Sequence, residues 1–269
     1  MLKSAIASIA AFAAFSASVV DAGACDDLRP GPVGKVVQVT DGDTIVLDSG
    51  IVVRMIGTQA PKLPLGRAGF ETWPKAQDAK EALEKLALDH QVRLKYGGEQ
   101  VDRYDRALAQ VFVVTEGGEI WAQEAMVEQG MARVYSFADN RKCLDQLYAA
   151  EGRARTARLG IWSDPYYSIR LADHPDRILD RVGHYELVEG RVLLADEAGG
   201  RVYLNFGRRW KEDFTAVIEA PAQKLFAALD RDPLQLEGAL VRIRGWVDER
   251  DGPRIEITHP EQIEVLATP

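Results

Sequence analysis

Val52-Val53-Arg54-Met55-Ile56-Gly57-Thr58-Gln59-Ala60-Pro61-Lys62 sets one arginine in an otherwise apolar strand and breaks that strand at a proline. A guanidinium in such a strand is costly to bury unpaired. Two readings stand: an ion pair with a nearby acid, or a planar fork aimed at phosphate. Upstream, Val39-Thr40-Asp41-Gly42-Asp43-Thr44 places two carboxylates around a glycine at a strand-to-strand turn. That pattern is common in turns, and it also presents oxygens to a hard cation. Downstream, Val101-Asp102-Arg103-Tyr104-Asp105-Arg106-Ala107-Leu108-Ala109 packs charge into a turn and then enters an apolar strand. Alone it reads as a solvated loop.

Working outward, apolar patterning and turn residues predict strands over 34–40, 44–47, 51–56, 91–96, 107–114 and 132–135. Ala76, Ala79, Leu83, Leu86 and Ala87 recur at helical spacing and predict a helix over 75–87. Further helices are expected over 121–129, closed by Gly130, and over 143–159, closed by Gly160. The segment 62–70 reads as a loop. Short strands interrupted by helices predict a mainly β, α+β unit over 33–165, a small barrel packed on helices. The proline-bearing 25–32 and the polar 166–182 read as linkers. A second strand-rich unit is expected over 183–267. Its strands fall at 186–194, 201–206, 239–247 and 254–258, with a helix over 221–229. That order is compatible with a smaller OB-like β domain.

Residues 1–24 read as a leader. Lys3 is a short positive region, 5–20 are nearly all small or apolar, and Ala22-Gly23-Ala24 is a cleavage pattern. The expectation is a secreted or periplasmic protein, with an N-terminal anchor as the competing reading. No later apolar run is long enough to span a membrane. In an oxidising compartment the two cysteines, Cys25 and Cys143, form a candidate disulfide. Free thiols and lipidation of Cys25 remain open. The net charge of −8 counts against a strong sequence-blind nucleic-acid binder and leaves room only for a local basic cleft.

The three charged blocks, in this order and spacing, resemble the staphylococcal nuclease (thermonuclease) family. The similarity continues through Glu124–Tyr135, Glu151–Arg158 and Leu159-Gly160-Ile161-Trp162-Ser163. The resemblance implies a five-stranded OB-fold barrel with flanking helices and a Ca²⁺-dependent site that cleaves DNA and RNA phosphodiesters. It places a metal aspartate at Asp43, with Asp41 as a further candidate oxygen. It places phosphate-clamping arginines at Arg54 and Arg106, and substrate contacts at Arg103, Tyr104 and Tyr135. Two positions depart from the family pattern. Its second metal carboxylate falls on Gln59, and its water-activating glutamate falls on Lys62. An exposed lysine is protonated at neutral pH and is no base. Losing a general base costs a factor of roughly 10²–10⁴ in rate. Two functions therefore stand: a weak or silent nuclease homologue that holds single-stranded nucleic acid, another phosphorylated ligand or a protein, and a Ca²⁺-dependent phosphodiesterase with a relocated base, for which Glu71 is the candidate.

In the second unit, Phe206, Arg208, Arg209, Trp210 and Lys211 mix aromatic and basic residues. The mixture suits single-strand binding, and equally an amphipathic edge. The four histidines show no metal-ligand spacing, and no P-loop, dinucleotide-binding or nucleophile-elbow motif is present.

Overall fold

The computed structural model describes Cys25 and residues 27–269, so the leader read over 1–24 lies outside the described residues. Its first part runs β1 (Arg29–Asp41), β2 (Thr44–Leu47), β3 (Val52–Met55), β4 (Gly57–Gln59), α1 (Ala76–Ala87), β5 (Gln91–Tyr96), β6 (Ala107–Thr115), β7 (Gly118–Trp121), α2 (Ala122–Glu128), β8 (Arg133–Tyr135) and α3 (Leu144–Thr156). The second part runs β9 (Arg170–Leu171), α4 (Pro175–Leu179), β10 (Tyr185–Arg191), β11 (Leu194–Ala198), β12 (Arg201–Asn205), β13 (Thr215–Ile218), α5 (Ala220–Ala227), β14 (Leu240–Glu249), β15 (Pro253–Ile257) and β16 (Ile263–Ala267).

Alternation drives the first sheet. Val92, Leu94 and Tyr96 of β5 point inward with Val36, Val39, Ile45 and Leu47, and Ala79, Leu83 and Ala87 of α1 pack on the same core. The strand order is β3-β2-β1-β5-β6-β7, and β3 also pairs with β6 in parallel, Val53 opposite Ala107. That last pairing closes five strands into a barrel, the OB-fold. β6 is buried on both faces over its first seven residues. Gly57 lets the chain leave the barrel. Its φ is +87°, and a Cβ there would lie 2.8 Å from Leu147 Cδ1. β4 then pairs with β8 instead of continuing β3.

The second sheet repeats the connectivity. β10 and β11 act as one strand bent at Val192–Leu193; β12, β13, α5, β14 and β15 follow. Pairing runs β11-β12-β13-β15-β14-β10, and β13 and β15 are parallel, as β3 and β6 are. The sheet curls around Val202, Leu204, Phe214, Ala216, Ile218, Ile243, Ile255 and Ile257. Two stacked OB-type units therefore make up the described chain. No helix among the described residues is long and apolar enough to cross a membrane.

Several expectations are corrected. The segment 25–32 is not all linker: β1 begins at Arg29, and Arg29 and Pro30 face Tyr96 and Lys95 of β5. Proline is tolerated there beside a register shift between Pro30 and Val33. The segment 166–182 holds β9 and α4, and Tyr167 and Ile178 are buried. The strand expected over 186–194 is two strands. β4, β7, β13 and β16 were not anticipated. All four residues of β13 are buried, so it carries no alternation to read.

One buried ion pair joins the two units. Arg244 on β14 is fully buried; its Nη2 lies 2.9 Å from Glu151 Oε2 on α3, and its Nη1 donates to Val134 O at 3.2 Å. Glu264 also accepts from Arg244. Glu151, itself fully buried, accepts from Val134 N at 2.7 Å. Burial works against charge on Glu151, but Arg244, the Val134 amide and Arg155 outweigh it and hold the carboxyl below its ordinary value. Cys25 and Cys143 are disulfide-bonded, Cα atoms 5.1 Å apart, which pins the start of the described chain to the N-terminus of α3. Removing the carboxylate with Glu151→Ala strands a buried guanidinium and should cost about 3–5 kcal/mol, read as a lower urea midpoint. A depressed carboxylate contributes stability above its unfolded pKa and loses it as pH falls through the folded one. Acid titration of stability should therefore be shallower for Glu151→Gln than for the wild type below pH 4.5, the ordinary glutamate value.

Candidate functional site

The turn between β1 and β2 is pressed into the protein. A Cβ on Gly42 would lie 2.6 Å from the Ala60 Cβ and 2.8 Å from the Ala79 Cβ, so only glycine lets the turn sit against β4 and α1. This places Asp43 fully inside. Its Oδ2 accepts from Ala60 N at 2.7 Å, and its Oδ1 from Thr44 Oγ1 at 3.2 Å. Asp41 Oδ1 accepts from Asp43 N at 3.1 Å.

Two cations meet these acids. Arg54, opposite Thr44 in the β2–β3 ladder, brings Nη1 to 3.5 Å from Asp43 Oδ1. Its fork is held by backbone carbonyls, Nη1 on Met55 O at 2.5 Å and Nη2 on Thr58 O at 2.6 Å. Lys62 Nζ lies 2.7 and 2.6 Å from the two oxygens of Asp43 and 3.2 Å from Asp41 Oδ2. An ammonium has three donors, and three carboxylate oxygens receive them. Two acids and two bases make the cluster neutral. Burial opposes the charge on Asp43, but Arg54, Lys62 and the Ala60 amide outweigh it and hold its carboxyl well below the usual range. Asp41 moves the other way: burial first, then the neighbouring Asp43 charge, raise it, and Lys62 offsets only part.

Gln59 faces a different partner. It lies opposite Arg133 in the β4–β8 ladder, and its Oε1 accepts from Arg133 Nε at 3.0 Å and Nη2 at 2.9 Å. Both lone pairs of that carbonyl are taken. Arg133 is buried between the rings of Tyr185 (4.9 Å) and Tyr167 (5.7 Å), the first from the second unit and the second from the connecting segment. A Ca²⁺ ion takes 6–8 oxygen ligands. The residues present do not fit it: an ammonium holds the oxygens of Asp43 and Asp41, and the Gln59 oxygen is turned to Arg133. Among the described residues no group of three or more His, Cys, Asp or Glu is placed to hold a metal.

Arg106 leaves the strand next to that of Arg54, since Ala107 pairs with Val53. It is held by Asp102, with Nη2 at 2.6 Å and Nε at 2.8 Å from Oδ2. Asp102 also accepts from the backbone N–H of Tyr104 and of Arg106. Partial burial pushes this carboxyl up, yet those amides and the guanidinium hold it below the usual range. Tyr104 is 64% exposed, flanked by Arg103 at 4.8 Å and Arg106 at 5.5 Å from its ring centre. Arg103 has no acid partner among the described residues. Thus Asp41, Asp43, Arg54 and Lys62 come together, Arg103, Tyr104 and Arg106 form a separate exposed edge, and Gln59 belongs to neither.

Tyr135, which the resemblance assigns to substrate contact, is half-buried. Its ring packs on Tyr185 (4.7 Å) and Phe137 (4.8 Å), and its hydroxyl accepts from Trp246 Nε1 at 3.0 Å. It belongs to the contact between the two units. Glu71 is exposed, and no hydrogen bond or ion pair joins it to the Asp43 cluster among the described residues. Arg133 was not anticipated as a site residue. The signal was there: a guanidinium between Ala132 and Val134 poses the same question as Arg54.

The comparisons with known proteins agree with this architecture. A family model described as staphylococcal nuclease homologue matches residues 52–164. The chain is 34% identical over 172 residues to a micrococcal nuclease of Shigella flexneri, covering 61% of this chain and 90% of that protein. It is 29% identical over 133 residues to a thermonuclease of Staphylococcus hyicus, covering 48% of this chain and 75% of that protein. It is 32% identical over 143 residues to endonuclease YncB of Bacillus subtilis (strain 168), covering 49% of this chain and 65% of that protein. With its closed five-stranded barrel and these relatives, the chain belongs to the staphylococcal nuclease family.

Proposed function

We propose that this chain is an exported nuclease homologue whose hydrolytic centre is silent, with Lys62 taking the place of the metal ion and the barrel keeping an edge for a phosphodiester or another phosphorylated ligand. The observation that carries the reading is the Lys62 ammonium, within 3.2 Å of three oxygens of Asp43 and Asp41. A cation must neutralise those acids for Asp43 to be buried. A covalently attached one does so without an exchangeable ion and leaves no carboxylate at position 62 to activate water. Gln59 supports the same reading, because its oxygen is committed to Arg133. Ligand retention is supported by the exposed Tyr104 beside Arg103 and Arg106, an aromatic face flanked by cations. Export is supported by the leader-like first 24 residues and by the disulfide, a bond that persists in oxidising compartments.

The activity test compares cleavage of single-stranded DNA with Ca²⁺ and with EDTA. The wild type should show no EDTA-sensitive cleavage, and Gln59→Asp/Lys62→Glu should gain some. EDTA-sensitive cleavage by the wild type would overturn the reading. In a thermal-shift assay, a nucleoside 3′,5′-bisphosphate should raise the melting temperature of the wild type, and less so that of Arg106→Ala.

The ammonium also has a stability signature. Lys62→Met leaves two buried acids facing one guanidinium and should cost about 3 kcal/mol at neutral pH. Asp41 already has a raised pKa, and losing Lys62 raises it further. A raised acid contributes stability below its unfolded pKa and loses it as pH rises through the folded one. The deficit of Lys62→Met should therefore shrink when urea unfolding is repeated near pH 4.

A further inference from the structure

The outer face of the second sheet is built unlike a solvated β surface. Asp196, Tyr203 and Val217 form one row across β11, β12 and β13, and Leu194, Asn205 and Thr215 form the next. Strand alternation puts both rows on the face opposite Val202, Leu204, Ala216 and Ile218, which fill the core. Residues there should lie in solvent. Yet Thr215 and Val217 are buried, and both line a cleft of about 660 Å³. That volume falls in the range of ligand clefts, about 300–1,000 Å³.

The rims are preformed. One is the 207–214 segment, which carries Trp210; the other is the turn between β14 and β15, which carries Arg250. The turn approaches the segment backbone to backbone: a Cβ on Gly252, at φ +91°, would lie 2.9 Å from Asp213 O. Asp213 in turn accepts from Arg209 N at 2.7 Å.

The lining reverses the charge of the molecule. Four arginines and two aspartates face the cleft in a chain of net charge −8. Arg201 and Arg254 are matched by Glu219 and Asp248. Arg208 and Arg250 have no ion-pair or side-chain hydrogen-bond partner among the described residues. Trp210, 56% exposed with the Lys211 ammonium 5.0 Å from its ring centre, and the half-buried Tyr203 line the same cleft. Unmatched guanidinium groups call for an anion, and an exposed indole calls for a flat partner. A strand of nucleotides supplies both at short intervals, its phosphates to the arginines and its bases to the rings. The cleft also lies where OB-type barrels present their oligonucleotide surface, on the second and third strands between the loops.

We infer that this cleft, with Trp210 and Tyr203 as stacking surfaces and Arg208 and Arg250 as phosphate contacts, is a single-stranded nucleic-acid site. It is separate from the Asp43 cluster, and the inference holds whether or not the first barrel cleaves.

The test uses the full chain with EDTA present, so that no metal-dependent cleavage contributes. Fluorescein-labelled oligothymidylate and oligouridylate are titrated and binding is read by anisotropy. Saturable binding that weakens with salt is expected. Trp210→Ala and Arg208→Ala/Arg250→Ala should each weaken it about tenfold, and the double arginine variant should lower the slope of log affinity on log salt by about 1.4. All three side chains are exposed, so circular dichroism melting should be unchanged. Photocrosslinking of a 5-iodouridine oligonucleotide to the wild type is a second readout that needs no variant, with attachment expected at Tyr203 or Trp210. The inference is overturned if the oligonucleotides do not bind at low salt, if the cleft variants bind as the wild type does, or if crosslinks fall only on the first barrel. Loss of binding in Arg106→Ala with the cleft variants unaffected would place the oligonucleotide on the Tyr104 edge instead.

Discussion

A carboxylate with no exposure, Asp43, is the constraint around which the first barrel is organised. An uncompensated buried charge is worth several kcal/mol of destabilisation, so its neighbours must supply positive charge and hydrogen bonds. They come from three parts of the chain: Arg54 from β3, the Ala60 amide from the end of β4, and the Lys62 ammonium just beyond it. Gly42 and Ala60 exist as small residues because the turn carrying Asp43 must press against α1. In a metal-dependent site the same acids would be satisfied by an ion that comes and goes. Here the neutralising charge is the chain's own Lys62 ammonium.

The second unit is tied to this centre through Arg133. Its guanidinium lies between Tyr167 and Tyr185 and holds Gln59 from the far side of the β4–β8 ladder. A few residues away, Arg244 reaches from β14 to Glu151 and to the carbonyl of Val134. Two buried arginines thus meet at the short strand β8: Arg133 projects from it to Gln59, and Arg244 of the second unit reaches the carbonyl of Val134 on it. Tyr135, on that strand, packs against Tyr185 and accepts a hydrogen bond from Trp246. The tyrosine that the resemblance assigns to substrate thus also contacts the second unit.

Both barrels share one strand order and one parallel closure, yet they present their charges differently. In the first, the guanidinium of Arg54 is turned inward onto carbonyls and Asp43. In the second, Arg208 and Arg250 stand at the rims of a cleft with no acid partner among the described residues, while Arg201 and Arg254 are matched. The difference follows from position: a cation inside a barrel must be paired, whereas one on a loop rim is solvated and free to meet a ligand.

By itself the sequence determined the local chemistry: the strands of the first barrel whose apolar residues alternate, the helix α1 from its spacing, the resemblance to the family, and which charged residues and cysteines are available to pair. These are legible because periodicity and residue type are local properties. Prolines at Pro30 and Pro32 hid the start of β1, and the wholly buried β13 hid itself, since neither shows the expected period. Only the tertiary structure decided which charges meet. Lys62 lies 19 residues from Asp43 along the chain, Gln59 lies 74 from Arg133, and Glu151 lies 93 from Arg244. Pairing over such separations depends on strand register and on the docking of the two units. A sequence names the charges, and burial alone dictates that each must find a partner.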